Sequence, residues 1–249
     1  MGFDGTVAIV TGGSSGIGAA TVELLAGAGA AVAVLDINAP AGPDVTWVRC
    51  DVSSEDDVTA AVAEVHRVLG VVDVAVLCAG IGGFGALVDL SSAEWDRVMA
   101  VNLRGTFLCL REIAKVMVAG GRGGRIVAVT SVSGFLADRG MGHYSASKAG
   151  VAELVRVAAR ELGAHGITVN AVAPGTTDTP MFASTDRLPG YRARVAGRAA
   201  LGGVGTPRAV ARAIAAVLEL DWVTGQELCA DGGVSLWSPI DPAESLEER

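Results

Sequence analysis

Residues 7–18 read VAIVTGGSSGIG. Four apolar residues of strand character run into a glycine-rich turn, and the turn opens a stretch of helical periodicity. Gly12, Gly16 and Gly18 stand where backbone must pass close to a phosphate and a side chain would block it. The first N–H groups of the following helix, with the positive end of its dipole, supply the matching anion site. A glycine pattern alone is weak in a chain of 249 residues that holds 34 glycines. Its place between a first strand and a first helix makes it a dinucleotide-binding turn.

Outward from that turn the same alternation continues. VAIV (7–10), AVAVLD (31–36), TWVRC (46–50), VDVAVLC (72–78), RIVAVTS (125–131), ITVNAVAP (167–174) and QELCAD (226–231) read as strands. They are rich in β-branched residues and do not alternate strictly, which suits strands buried on both faces of a parallel sheet. Helical stretches lie between them at 16–28, 54–69, 92–119, 143–163 and 207–219. Strand–helix–strand repetition over residues 1–249 predicts one doubly wound α/β domain, a parallel sheet of about seven strands with helices on both faces. The nine residues INAPAGPDV (37–45) are too short and too proline-broken for a crossover helix and predict an irregular loop. Residues 181–206, with four arginines and many glycines, predict an irregular, mobile substrate lid.

Composition excludes several functions. A net charge of −8 and the lack of a basic stripe argue against a nucleic-acid partner. The four cysteines are scattered and the three histidines dispersed, so neither a metal site nor a disulfide framework is expected. No uninterrupted apolar stretch reaches membrane-spanning length and the N-terminus does not read as a signal peptide, which predicts a cytoplasmic protein with no membrane partner.

Asp36 ends the second strand, eighteen residues beyond Gly18. A carboxylate there accepts hydrogen bonds from adenosine ribose hydroxyls and repels a 2′-phosphate, and Ser15 and Ile37 offer no cation in compensation. The expected cofactor is NAD. Residues 143–150 read HYSASKAG, with Tyr144 and Lys148 on one helix face among very small neighbours. A free tyrosine has a pKa of about 10, and lowering it by roughly three units takes about 4 kcal/mol. One cation about 4 Å away at an effective dielectric of 20 supplies about that much. Ser131 ends a buried strand at its carboxyl end, where open α/β sheets bind ligands, and its hydroxyl can donate to a developing oxyanion. Asn102, a poor helix former inside 92–119, implies a kink or a polar partner.

TGGSSGIG, CDVS (50–53), CAG (78–80), VNLRG (101–105), VTSVSG (129–134), YSASK (144–148) and VNAVAPG (169–175) resemble, in order, the motif series of the classical short-chain dehydrogenase/reductase family. The resemblance runs to DGG (231–233) and implies a Rossmann-fold oxidoreductase. It implies Tyr144 as acid/base, Lys148 as its electrostatic partner, Ser131 as clamp on the substrate oxygen and Asn102 as anchor of a water relay. It further implies that Gly12, Ser14, Ser15, Gly16, Ile17 and Gly18 hold the pyrophosphate side of NAD, with Asp36 at the ribose and Asp51 and Val52 at the adenine. Ala79 and Gly80, with Tyr144 and Lys148, would adjoin the nicotinamide ribose, and Pro174, Gly175, Thr177 and Thr179 the carboxamide. For the threonines, helix N-capping is the ordinary reading of the residues, and the two roles are compatible.

Two departures stand out: Leu77 and Cys78 replace the family's paired asparagines, and the loop after Asp36 is short. Ile81, Ser133, Met141, His143, Met181 and Phe182 are the expected substrate contacts, with Phe84 and Phe135 at the pocket edge. Their apolar character favours a secondary alcohol or ketone that is cyclic or hydrophobic. His143 reads equally well as a substrate contact or a surface residue, and Arg187, Arg192, Arg194 and Arg198 as carboxylate receptors or a solvated face. The alternatives are a cyclic dihydrodiol-carboxylate dehydrogenase, an NADPH-dependent 3-oxoacyl carrier-protein reductase and a non-catalytic NAD(H) sensor. The family resemblance also implies a homotetramer, with the 92–119 and 143–163 helices pairing across one interface, and the apolar stretch VSLWSPI (234–240) suits packing on a neighbouring subunit.

Overall fold

A computed structural model describes residues 2–42, 44–185 and 189–238 of the chain. Seven parallel strands form one sheet in the order β3-β2-β1-β4-β5-β6-β7. They are β1 (Val7–Thr11), β2 (Ala31–Asp36), β3 (Thr46–Arg49), β4 (Val74–Leu77), β5 (Gly124–Val129), β6 (Ile167–Pro174) and β7 (Glu227–Ala230). The strand order reverses between β1 and β4, the position where doubly wound sheets open a crevice for ligands.

Helices cover both faces. On one side α1 (Gly16–Gly27) and α8 (Pro207–Leu218) pack Val22, Leu25, Ile214 and Leu218 onto Val10, Val34 and Val76. On the other, α2 (Glu55–Leu69), α4 (Thr106–Gly120) and α5 (Gly142–Leu162) pack Val62, Ile113 and Val155 onto Ile9, Ala75 and Ile126. Local signals set the helix starts: Ser54 caps α2, Ser91 caps α3 (Ser92–Met99), and Thr206 followed by Pro207 opens α8.

Three expectations need correction. The edge strands are not buried on both faces: β3 alternates between half-buried and exposed residues, and Leu228 and Cys229 of β7 are exposed. With no helix among the described residues of 37–45, nothing covers the β3 edge as fully as the centre. The 92–119 stretch is not one helix either. A π-helical turn at Ala100–Gly105 separates α3 from α4, and Asn102 lies within it. Finally, 181–206 is more ordered than its glycines suggest. Helices α6 (Pro180–Thr185) and α7 (Tyr191–Arg198) occupy much of it, and its end returns to the sheet through a parallel bridge between Thr177 and Gly205. Among the described residues no helix is long and apolar enough to cross a membrane, and no cluster of His, Cys, Asp and Glu could hold a metal.

Candidate active site

The turn after β1 owes its shape to absent side chains. Gly12 has φ +65°, and a Cβ on it would stand 2.7 Å from Ala79 Cα. A Cβ on Gly18 would stand 2.1 Å from the Gly12 carbonyl oxygen, so the first turn of α1 can only close against glycine. Gly16 lies over Thr179. Ser15 stands at the N-cap of α1 without a capping bond from its side chain. Its hydroxyl and the first N–H groups of α1, through Ile17 and Gly18, therefore suit a phosphate. Ser14 turns away: its hydroxyl donates to the Asn38 carbonyl at 2.6 Å and its N–H to Asp36 Oδ2 at 3.1 Å. Asp36 Oδ1 accepts from the Asn38 N–H at 2.9 Å, so two backbone amides aim the carboxylate.

Farther along, Asp51 Oδ1 accepts from both the N–H and the hydroxyl of Ser53, which hold its carboxyl below the usual range. Val52 is buried against Gly105 of the π turn. Thr11, a residue the sequence reading passed over, ties β1 to the end of β4: its Oγ1 accepts from the N–H groups of Cys78 and Ala79. It secures the segment where the family's asparagines are missing. Pro174 and Gly175 end β6 against Ala230 and Asp231. Thr177 donates to the Gly175 carbonyl, and Thr179 Oγ1 accepts from the Phe182 N–H at the start of α6, which is the capping reading of that threonine.

Tyr144, Ser131 and Lys148 are all buried at the carboxyl end of β5, where α5 begins. Lys148 Nζ donates to the Val129 carbonyl at 2.8 Å and lies 5.8 Å from the Tyr144 ring centre. Burial pushes the Lys148 ammonium down to about 8. Burial also pushes the Tyr144 phenol up, opposed by the nearby Ser131 hydroxyl and reinforced by Cys78 and Asp138. Lys148, expected from the sequence to pull the phenol down, is turned to the Val129 carbonyl, and desolvation sets the direction at Tyr144. Asn102 also differs from a simple relay anchor. Its Oδ1 accepts from the Ile81 N–H at 2.8 Å, and its Nδ2 donates to the Ile81 carbonyl at 3.0 Å and to Ser147 Oγ at 3.1 Å. Both amide hydrogens are committed, so the side chain clamps the Ile81 backbone beside Gly80, whose missing Cβ leaves room near Lys148 Nζ.

A family model described as enoyl-(acyl carrier protein) reductase matches residues 12–235. Among curated proteins, cis-4-hydroxycyclohexanecarboxylate dehydrogenase of Sinomonas cyclohexanicum is 42% identical over 245 residues, covering 93% of this chain and 97% of the relative. The chain belongs to the classical short-chain dehydrogenase/reductase family. A 2,5-dichloro-2,5-cyclohexadiene-1,4-diol dehydrogenase of Sphingobium indicum is 39% identical, covering 93% of this chain and 97% of its own. The ligand-free aldohexose dehydrogenase of Thermoplasma acidophilum superimposes with a TM-score of 0.91 at 30% identity, covering 96% of this chain and 97% of that one. This short-chain dehydrogenase/reductase is accordingly an oxidoreductase acting on a small molecule.

The substrate side of this dehydrogenase departs most from expectation. His143 is fully buried, its ring under Gly83 and its Nε2 3.7 Å from Glu94 Oε1, so it is neither a surface residue nor open to the site. Helix geometry explains this: one residue from Tyr144 is about 100° around α5, onto the face that meets α3. Ser133 gives its hydroxyl to Asp138 Oδ2 at 2.7 Å. Phe182 is buried against Tyr191 and under the Arg192 guanidinium, anchoring α6 to α7. Ile81, Met141 and Met181 keep partial exposure, and Met181 reaches across to Gly82. Arg192 pairs with Asp178, Arg194 donates to the Pro189 carbonyl, and Arg198 stacks on Trp237, which turns that residue toward its own chain. Arg187, Pro239 and Ile240 lie outside the described residues. Burial pushes the Cys78 thiol up to about 11, which disfavours the thiolate.

Proposed function

We propose that this protein is an NAD-dependent dehydrogenase of secondary alcohols carried on a ring, with Tyr144 as the group that moves the proton. The observation that carries this reading is the juxtaposition of Tyr144, Ser131 and Lys148 with a turn stripped of side chains by Gly12 and Gly18. Ser15, Gly16, Ile17 and the N-terminus of α1 would hold the pyrophosphate, Asp36 the adenosine ribose and Asp51 with Val52 the adenine. Lys148, Gly80, Thr177 and Thr179 would hold the nicotinamide half. The chemistry NAD+ supplies when bound is acceptance of a hydride. In the oxidising direction Ser131 holds the substrate oxygen while Tyr144, as phenolate, takes its proton. Lys148 retains its charge below about pH 8, and that charge would favour the phenolate. The clamp of Asn102 on Ile81 keeps the opposite wall from sagging into the pocket.

Asp36 supports NAD over NADP, since a 2′-phosphate would meet a carboxylate already aimed by two amides. The ring preference draws on two relatives that are dehydrogenases of a hydroxycyclohexanecarboxylate and of a cyclohexadiene-diol. The test is reduction of NAD+ and NADP+, followed by absorbance, across open-chain and cyclic alcohols, for wild type and Tyr144→Phe. Activity with NAD+ and cyclic alcohols that vanishes in the variant is the expected result. Preference for NADP+ would overturn the reading of Asp36, and full activity in Tyr144→Phe would overturn the mechanism.

We read the active form as a homotetramer, with α4 and α5 at one interface. Phe107 and Val157 leave apolar surface exposed on those helices. A solution mass near four times 25.1 kDa is expected, and a stable monomer would refute it.

A further inference from the structure

Asp138 belongs to none of the roles assigned above, yet the loop between β5 and α5 is built around it. Its Oδ2 accepts from Ser133 Oγ at 2.7 Å, the Ser133 N–H donates to Ser131 Oγ at 3.1 Å, and Ser131 faces the Tyr144 phenol. The Asp138 carbonyl accepts from the Met141 N–H at 3.2 Å, closing the turn that leads into α5. A short chain of hydrogen bonds therefore joins this exposed carboxylate to the site of the reacting oxygen. The protein has two tyrosines, Tyr144 on α5 and Tyr191 on α7, and the charge of Asp138 reaches both. The charge of Asp138 thus bears on both the catalytic helix and α7 of the lid.

We propose that Asp138 selects the substrate: its unshared oxygen receives a hydrogen bond from a second ring hydroxyl, and its charge turns away a ring carboxylate. This rests on the reading of Tyr144 as the acid/base of a ring-alcohol dehydrogenase. An ionised carboxylate only accepts hydrogen bonds, so its partner must be a donor. A substrate carboxylate would need a cation, and the lid arginines among the described residues each have a partner. Arg192 is paired with Asp178, Arg194 with the Pro189 carbonyl and Arg198 with the Trp237 ring. Arg139, next along the loop, is exposed, and neither phenol registers its charge. Such an arrangement favours a diol by attraction and disfavours a hydroxy acid by repulsion.

The charge has a second consequence at Tyr144. The ionisable groups facing that phenol are Cys78 at the end of β4, Lys148 on α5 and Asp138 on the loop. Tyr191 is faced by Asp138 and, from α7 itself, by Arg194 and Arg198. A negative charge disfavours the phenolate, so neutralising Asp138 makes Tyr144 easier to ionise.

The experiment compares wild type, Asp138→Asn and Asp138→Ala on cyclohexanol, a cyclohexanediol and 4-hydroxycyclohexanecarboxylate, each with NAD+. In wild type the diol is expected to exceed cyclohexanol in kcat/KM by about tenfold, the worth of a hydrogen bond to a charged group. That ratio falls toward one in Asp138→Ala. The diol-to-hydroxy-acid ratio falls in Asp138→Asn, and the alkaline-rising limb of the pH profile moves to lower pH. A loop-holding role for Asp138 would not move that limb. Oxidation with unchanged ratios and an unmoved limb overturns the Asp138 assignment alone. If no ring alcohol reduces NAD+, the ring-alcohol reading fails and takes this assignment with it.

Discussion

The floor and the rim of the site are made by opposite means. On the floor, the β1–α1 turn works by omission, with Gly12 and Gly18 exposing backbone, and Tyr144, Ser131 and Lys148 sit fully packed in the sheet's carboxyl end. The rim consists of side chains from loops and the start of α6 that remain partly or wholly exposed: Phe84, Phe135, Asp138, Met141 and Met181. A floor of buried and close-packed atoms cannot change without losing the reaction or the fold. A rim of exposed side chains can be altered residue by residue while the chemistry beneath it stays the same.

If that contrast holds, substitutions on the floor have effects orders of magnitude above those on the rim. Tyr144→Phe should lower kcat by about 10²- to 10⁴-fold, the range for general acid–base groups, while NADH binding, followed by fluorescence, stays close to wild type. Lys148→Met should abolish turnover and stabilise the protein by about 3 kcal/mol at pH 7 in urea unfolding, because it removes a buried ammonium. The sign follows from its pKa, about 8 in the folded chain against an ordinary 10.5. Below pH 8 both states hold the proton and the cost of burying charge is complete; between 8 and 10.5 the folded chain releases it first. The advantage of the methionine variant should therefore shrink as pH rises toward 10.

Gly18→Ala should weaken NADH binding on the order of 10²-fold, since its Cβ would collide with the Gly12 carbonyl and displace the turn. Smallest of all, Met181→Ala and Phe84→Ala should raise KM for ring alcohols about threefold to tenfold with little change in kcat. A rim variant that cost as much as Tyr144→Phe would erase the distinction.

The same contrast explains what the sequence revealed. Gly12, Gly18, Tyr144 and Lys148 are fixed by backbone approach and helix spacing, so a linear string carries them. The central strands are legible for a similar reason: burial on both faces leaves an unbroken apolar run. The roles of Asp138 and Thr11 were not legible: Asp138 acts through Ser133, and Thr11, though it opens TGGSSGIG, acts through two amides at the end of β4. His143 was ambiguous because its neighbour Tyr144 faces the site, and only the packing of α3 against α5 shows that the imidazole turns inward. Helices α6 and α7 were hidden by their glycines and prolines, and tertiary contacts such as Phe182 on Tyr191 hold them.

The π turn at Ala100–Gly105 makes chain length itself a functional parameter. A π turn carries one residue more than an α-helical ladder accommodates. Deleting a single residue there would let the ladder close into regular helix, which is locally favourable. The flanking helices would keep their faces, because the π turn absorbs the extra residue, but the widened turn that presents Asn102 to Ile81 would be lost. Insertions and deletions should therefore be excluded from this six-residue window, even where conservative substitutions are tolerated. In the 37–45 connection, which supports no helix among its described residues, length can vary beyond Asn38, whose backbone aims Asp36 and holds Ser14.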